Sequence, residues 1–205
     1  NTKSLDASKV EIAVVSAVNG KEEADNLCMI MEYCKKGLLE GFCFGPLNKA
    51  AMKNGGYHFE SEHELFAERL GVMDKPHGEM NVLDGLWTSR ATSHIPLKDV
   101  SAHLTAKTVG DAINLAYETL KRAGYEDPKV AIAAVNPHGG DSGTCGREEI
   151  DVLEPAVAKA NAEGKNIVGP FPSDTLFIRA FKGDFNAVVT MYHDQGQIAL
   201  KLIGF

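Results

Sequence analysis

The segment Lys129–Arg147 constrains the fold of this chain more than any other stretch. It starts with small and β-branched residues (Val130–Val135), which predict a buried strand, and a loop containing four glycines follows. A helix-like segment, GREEIDVLEPAVAKA, begins at Gly146. Strand, loop and helix in this order are typical of an open α/β sheet, in which ligands bind beyond the carboxyl ends of the strands. His138 lies at that point in the sequence.

Two other histidines also follow predicted strands. Ala187–Tyr192 predicts a buried strand, and His193 comes directly after it. The pair Asp84-Gly85, flanked by apolar residues, predicts a type I′ turn in an antiparallel hairpin that leads the chain to His94. Imidazole suits Zn²⁺ and Co²⁺, and three protein ligands leave coordination positions open for substrate. The spacing also leaves open an ordinary loop position for each histidine, which is the better interpretation for the other four: His58, His63, His77 and His103.

The first part of the chain predicts two strands and two helices. Val10–Ser16 and Phe42–Phe44 have the pattern of short apolar strands. Lys21–Glu40 has an apolar stripe typical of a helix, and Gly41 ends it. Ser61–Leu70 predicts a second amphipathic helix, with Ser61 and Glu64 as a capping box.

The second part predicts alternating helices and strands. Pro96 opens a short helix, and Thr108 is expected to cap a longer one that ends at Gly124. After the central strand, loop and helix, Asn166–Val168 predicts another strand, and a further helix runs to about Phe181. This order predicts an α/β fold, with a mainly parallel sheet, helices on both faces and an antiparallel hairpin.

Composition excludes some classes of protein. The 205 residues, 44% of them hydrophobic, can form one large domain or two small ones. No apolar run reaches the ~18–20 residues of a membrane span, and the first residues do not form a secretory signal, so we expect a cytoplasmic protein. A net charge of −7 without basic blocks argues against nucleic acid as a partner. The four cysteines lack CxxC spacing and indicate reduced thiols; Cys145 is an alternative nucleophile without an adjacent base.

Five segments resemble motifs of the 4-hydroxythreonine-4-phosphate dehydrogenase (PdxA) family, which acts in pyridoxine biosynthesis. They are GPLNK (45–49), ATSHIPLKDV (91–100), NPHGGDSGTCGREEID (136–151), GPFPSDTLF (169–177) and MYHDQGQIALKLIGF (191–205). The resemblance implies an isocitrate/isopropylmalate-dehydrogenase-like fold and a homodimer with its active site at the subunit interface. It also implies NAD- or NADP-dependent oxidation, followed by decarboxylation, of a phosphorylated hydroxy acid such as 4-phosphooxy-threonine.

The resemblance also assigns residues. His94, His138 and His193 match three ligands of a divalent metal (Zn²⁺, Co²⁺ or Mg²⁺), which the family assembles from both subunits. Lys201 matches a substrate-binding lysine, with a solvated lysine as the alternative, and Asp174 matches an acidic residue near the metal, with a helix N-cap as the alternative. In such a reaction, a metal that chelates the substrate hydroxyl lowers the pKa of that oxygen while hydride passes to the nicotinamide. Lys201 and Asp174 are the residues predicted to be catalytic in this reaction.

The chain departs from the family pattern at Glu62-His63, where the family has a substrate-gripping His-Thr pair. A carboxylate there would repel an anionic substrate, which favours a different one such as 4-phospho-threonate or 4-phospho-erythronate. A one-residue shift of the helix would instead give His63 the role of the family histidine. Glu62 and His63 are thus predicted substrate-binding residues.

Residues 1–205 are expected to form a partial domain pair that lacks family units at both ends. No Gly-x-Gly-x-x-Gly fingerprint occurs, so the cofactor-binding residues are unassigned, and we expect the chain to bind metal better than cofactor. Two alternatives remain open. One is a catalytically silent metal- or ligand-binding domain of the same family; the other is phosphate acyltransfer on a related fold.

Overall fold

The structure, a computed structural model, describes residues 6, 8, 10–59 and 61–204. It divides into two compact units, which comprise residues 1–77 and 78–205. Each unit has its own hydrophobic core.

The described residues of the first unit form three α-helices: α1 (Ala17–Lys35), α2 (Lys49–Asn54) and α3 (Glu62–Leu70). Helix α1 packs against α2 at very short range, because a Cβ atom on Gly20 would lie 2.0 Å from the carbonyl carbon of Ala51. Only glycine fits at this crossing. The buried core of the unit consists of Ala24, Leu27, Met31, Met52 and Leu65.

The two strands predicted in this unit are wrong. No strand occurs among the described residues before position 78, and both apolar segments are irregular. Ile12 is 94% exposed and Phe44 is 47% exposed, whereas Phe42 packs against the core of the unit without being part of a strand. A strand needs a hydrogen-bonding neighbour, and β-propensity without a paired strand does not create one.

The helix predictions in this unit are correct in type. Helix α1 begins and ends four to five residues earlier than predicted, with Ser16 as its N-cap. Its end is set by Gly37, which has a left-handed φ of 68°, and not by Gly41. The capping role of Ser61 is confirmed, because its side chain accepts a hydrogen bond from the backbone N–H of Glu64.

The second unit is an α/β domain around a five-stranded sheet with the order β1-β2-β5-β3-β4. Strands β1 and β2 pair antiparallel, and every other pair is parallel. A 3₁₀ turn (Leu97–Asp99) precedes α4, and a π-helical turn (Glu149–Leu153) precedes α6. The elements are β1 (Asn81–Leu83), β2 (Leu86–Arg90), α4 (Val100–His103), α5 (Ala106–Arg122), β3 (Lys129–Ala133), α6 (Glu154–Ala162), β4 (Asn166–Phe171), α7 (Ser173–Ala180), β5 (Ala187–Thr190) and α8 (His193–Gly204).

Both faces of the sheet are covered by helices, as predicted. Along β3, Val130 and Ile132 pack in the core that includes α5 and α6, while Ala131 and Ala133 pack in the core that includes α7. This alternation follows the two-residue period of a strand, and burial on both faces explains why β3 and β5 are continuously apolar.

The hairpin is also confirmed. Asp84 and Gly85 have φ angles of 47° and 84°, as a type I′ turn requires.

The predicted N-cap of α5 is wrong by one helical turn. Thr105 is the N-cap, and Thr108 is the third helical residue, whose side chain closes a capping box.

Candidate active site

The three histidines predicted as metal ligands follow three neighbouring parallel strands. His94 comes after β2, His193 after β5 and His138 after β3, and these strands are adjacent in the sheet. Since the carboxyl ends of parallel strands share one edge, the fold brings the three loops to the same edge of the sheet.

Two of the three histidines lie side by side. The ring centroids of His94 and His193 are 5.5 Å apart, and the ring planes are inclined by 44°. His193 is the first residue of α8, and its Nδ1 lies 2.7 Å from Oδ1 of Asp194. A carboxylate in this position accepts a hydrogen bond from Nδ1–H, and in that tautomer of the neutral ring Nε2 has a free lone pair. The pair is therefore suited to bind a cation.

The loop that carries His94 is fixed by hydrogen bonds that continue the β2–β5 pairing. The backbone N–H of Ala91 donates to Thr190 O at 2.8 Å, and the hydroxyl of Thr92 donates to Met191 O at 2.7 Å. The Arg90 side chain is 8% exposed; it donates to Glu79 at 2.7 Å and to the Ser93 hydroxyl at 3.0 Å. The backbone just before His94 is thus held on both sides.

Gln195 fixes the start of α8, a role that the sequence analysis missed. Its side-chain oxygen accepts from the backbone N–H of Met191 at 2.6 Å. Its side-chain nitrogen donates to Ala134 O at 2.7 Å and to the Ser173 hydroxyl at 2.8 Å. Gln195 therefore links the ends of β5 and β3 to α7. The only sequence signal was a polar residue two positions after a strand-end histidine.

The histidine pair opens into a cavity of about 750 Å³. Asp174 lines the same cavity from the first turn of α7. It is not the helix N-cap, because Pro172 occupies that position. The wall is largely apolar and includes Ile95, Leu97, Phe177, Tyr192, Ile198 and Leu202.

His138 does not line this cavity. It is exposed and has a left-handed φ of 55°, at the start of a turn that runs to Gly143. Within the part of the chain that the structure describes, no three His, Cys, Asp or Glu side chains are arranged to hold a metal ion. The structure therefore unites His94 with His193 and leaves His138 apart from them.

Lys201 lies on another face of α8 and lines a second cavity of about 340 Å³. The facing wall comes from β1, and it includes Asn81, whose Nδ2 is buried without a hydrogen-bond partner among the described residues. Gln197 lines the cavity too. These side chains supply N–H donors, the groups that bind an anion.

Glu62 and His63 belong to the first unit, at the start of α3. Glu62 is not an isolated charge, because its Oε2 lies 3.5 Å from the ammonium nitrogen of Lys49, and its side chain is 26% exposed. This ion pair offsets the repulsion that we predicted between Glu62 and an anion. A small cavity of about 300 Å³ is lined by Lys53, His58, Phe59 and Glu64, which are close to Glu62 and His63 in the sequence.

A parallel α/β domain with two imidazoles and two carboxylates at its strand ends belongs to the class of metabolite-binding α/β domains. The chain is a member of the PdxA family: the family described as "Pyridoxal phosphate biosynthetic protein PdxA" matches residues 1–205. The predicted family membership is confirmed.

Relatives and solved structures agree with this assignment. A Rhizobium meliloti protein with the provisional name 4-hydroxythreonine-4-phosphate dehydrogenase 2 is 46% identical over 201 residues, which is 98% of this chain and 58% of that protein. The D-threonate 4-phosphate dehydrogenase of Salmonella typhimurium is 38% identical over 174 residues, 85% of this chain and 53% of that protein. The crystal structure of 4-hydroxythreonine-4-phosphate dehydrogenase from Klebsiella pneumoniae matches with a TM-score of 0.90 and 32% identity, covering 98% of this chain and 60% of that one.

The chain thus spans between 53% and 60% of the length of these relatives. Among the helices described, none has the length and apolarity that crossing a membrane requires.

Proposed function

We propose that this chain is part of an NAD- or NADP-dependent dehydrogenase that oxidises, and then decarboxylates, a phosphorylated hydroxy acid. The observation that carries the proposal is the His94–His193 pair, oriented by Asp194, at the strand ends of a PdxA-family domain. The names of the relatives indicate two candidate substrates, 4-hydroxythreonine 4-phosphate and D-threonate 4-phosphate.

The donor set of the cavity suits a divalent metal. His94 and His193 would hold the ion, with Asp174 on the same cavity wall, and His138 of a second copy of the chain would be the third ligand. Two or three imidazoles favour Zn²⁺ or Co²⁺ over Mg²⁺, which prefers oxygen ligands. A bound ion would supply Lewis-acid polarisation of the substrate oxygen.

The remaining roles belong to side chains of this chain. Asp194 keeps the His193 imidazole in one tautomer. Asp174 is the candidate proton acceptor, because it is exposed within the same cavity. Lys201 lies eight residues beyond His193, about 12 Å further along the helix axis. With Asn81 it would bind an anionic group of the substrate, a phosphate or a carboxylate, away from the reacting carbon.

A second copy of the chain would complete the site. Three large apolar side chains that line the histidine cavity are exposed: Leu97 (69%), Ile198 (60%) and Leu202 (75%). Exposed apolar surface of this kind is typical of an interface. A homodimer in which each copy contributes His138 to the cavity of the other would cover this surface and supply the third ligand.

The ion pair between Glu62 and Lys49 bears on the substrate. In the proposed enzyme, Glu62 and His63 contact the substrate, and the paired carboxylate adds little net charge there. Because little repulsion remains, Glu62 allows anionic substrates to bind, among them 4-phospho-threonate and 4-phospho-erythronate, the substrates expected where the family histidine is replaced.

The four cysteines are free thiols in the structure, which supports a cytoplasmic location, where nicotinamide cofactors are available.

One alternative has a specific observation in its favour. A catalytically silent, metal-binding PdxA-family domain would retain the histidine pair, and the three predicted ligands do not converge within the described chain. Calorimetric titration with NAD and NADP separates the two functions, because only a dehydrogenase requires saturable binding of one of them.

The metal proposal is tested by titrating the protein with Co²⁺ and following its visible absorption. His94→Ala and His193→Ala are each expected to weaken Co²⁺ binding at least ten-fold. His103→Ala is the matched control, since His103 is an exposed histidine of the same unit whose ring bonds to the Asp99 carbonyl oxygen. Equal Co²⁺ affinity in all four proteins would refute the site. Turnover is then assayed with D-threonate 4-phosphate by nicotinamide absorbance.

A further inference from the structure

The loop that carries His138 has an unusual backbone. Six consecutive residues, from His138 to Gly143, have φ between 45° and 92°, so the turn is left-handed throughout. Three of the six, His138, Asp141 and Ser142, are not glycine. Side chains are strained in this region of φ/ψ space, and such a conformation persists only where surrounding contacts impose it.

One buried carboxylate makes those contacts. Glu149 is 1% exposed, and its Oε1 accepts from the backbone N–H groups of Val135 and Asn136, each at 2.8 Å. Its Oε2 accepts from the side-chain nitrogen of Asn136, also at 2.8 Å. The same Asn136 nitrogen donates to Glu148 at 2.6 Å, which fixes the orientation of the amide. All of these partners of Glu149 are N–H groups of the loop entrance.

The Glu149 carboxylate also lies close to Gly140, on the other side of the turn. A Cβ atom on Gly140 would lie 2.7 Å from Oε2 of Glu149, so glycine is required where the turn closes over it. His138 is therefore bracketed by Asn136 and Gly140, two residues on either side, and both contact Glu149. Glu149 begins the π-helical turn that precedes α6, and turns of this rare type are frequent at functional sites.

We propose that Glu149 is the positioning residue of His138: its carboxylate holds the left-handed turn that presents this imidazole for metal binding. The proposal rests on the proposed function in assigning His138 to a metal site. A carboxylate is required because it alone offers acceptors on both oxygens. In Glu149→Gln, one of the two positions becomes an NH₂ group that faces an N–H donor, so at least one of the three hydrogen bonds is lost.

The experiment compares two pairs of variants. Glu149→Gln is paired with Glu154→Gln, an exposed glutamate at the start of α6. Gly140→Ala is paired with Gly143→Ala: both glycines have positive φ, but a Cβ on Gly143 meets its neighbours only at 3.4 Å or more. The second pair changes the contact with Glu149 while leaving the carboxylate itself in place.

Two quantities are measured on each variant that retains the far-ultraviolet circular dichroism of the unmodified protein. The first is the rate at which trypsin cleaves after Arg147, whose side chain is 61% exposed in the same loop. The second is the affinity for Co²⁺. Glu149→Gln and Gly140→Ala are each expected to accelerate cleavage and weaken Co²⁺ binding at least ten-fold relative to their controls.

The outcomes separate the two proposals. Unchanged cleavage and unchanged Co²⁺ affinity in Glu149→Gln, or in Gly140→Ala if the first variant does not fold, would overturn the positioning role. Faster cleavage without a change in Co²⁺ affinity would overturn it too, because Glu149 would then be a purely structural residue. If the unmodified protein binds no Co²⁺, the proposed metal site fails, whatever the cleavage rates show.

Discussion

Two segments of nearly the same composition behave differently in the two units. Residues 12–15 read Ile-Ala-Val-Val and residues 187–190 read Ala-Val-Val-Thr. The second segment is strand β5, fully buried between β2 and β3, whereas in the first segment Ile12 and Val14 are 94% and 53% exposed. The two segments share Ala-Val-Val, but only the second has a strand on each side. Pairing thus decides which apolar segment becomes part of a core.

The largest expected effect tests this difference with one substitution at two positions. Val189→Asp places a charge in the centre of the sheet, where Val189 is 0% exposed. We expect it to lower the free energy of unfolding by about 4 kcal/mol or to prevent folding. Val14→Asp should change it by less than about 0.5 kcal/mol. Urea unfolding followed by circular dichroism measures both, and a large loss in Val14→Asp would show that residues 12–15 are buried after all.

A smaller effect is expected where the first unit is tightly packed. Gly20→Ala would drive a methyl group into the backbone of α2, so we expect a loss of about 1–3 kcal/mol. Gly110→Ala is the matched control, because Gly110 lies in α5 with open space around its Cα. That substitution should stabilise the second unit by about 0.5–1 kcal/mol. Equal melting temperatures for the two variants would contradict the α1–α2 contact.

The smallest effect concerns a polar contact of the first unit. Asp25 accepts hydrogen bonds from Lys21 at 2.5 Å and from the Tyr57 hydroxyl at 2.6 Å, and these bonds lower the pKa of the Asp25 carboxyl. A lowered carboxyl pKa adds stability above its ordinary value of 3.8, and that stability is lost as the pH falls through the pKa of the folded state.

Asp25→Asn should therefore be less stable than the unmodified protein at pH 7, and the difference should vanish in acid. Thermal unfolding across the pH range measures it, with Tyr57→Phe as the variant that removes one of the two donors. A stability difference that is constant with pH would show that the carboxylate charge is not involved.

The sheet could be predicted from the sequence because its strands carry local signals. Asp84-Gly85 fixes a type I′ turn, and the apolar runs at 130–135 and 187–192 have the pattern of buried strands. The order of the strands in the sheet could not be predicted, because it depends on which strands that are distant in the sequence pair with each other. The cap of α5 was misassigned since Thr105 and Thr108 are both good caps, and only the backbone shows which one precedes the helix.

The candidate site was predictable only in outline. His94, His193 and Asp174 were expected near one another, and they do line one cavity. Gln195 gave only a weak sequence signal and Glu149 gave none, because their roles depend on hydrogen-bond partners that the sequence alone does not reveal. Lys201 was expected at the substrate, and only the structure shows that it faces Asn81 in a separate cavity.

The order of the strands has a consequence for how this domain is made in the cell. Strand β5 is the last of the five along the chain, yet it lies between β2 and β3. A nascent chain on the ribosome therefore holds two half-sheets, each with an unpaired edge, until residues 187–190 emerge. Open edges of this kind attract other chains. Chaperone supply and translation speed should therefore change the yield of the folded domain, while the stability of the domain once folded should stay the same.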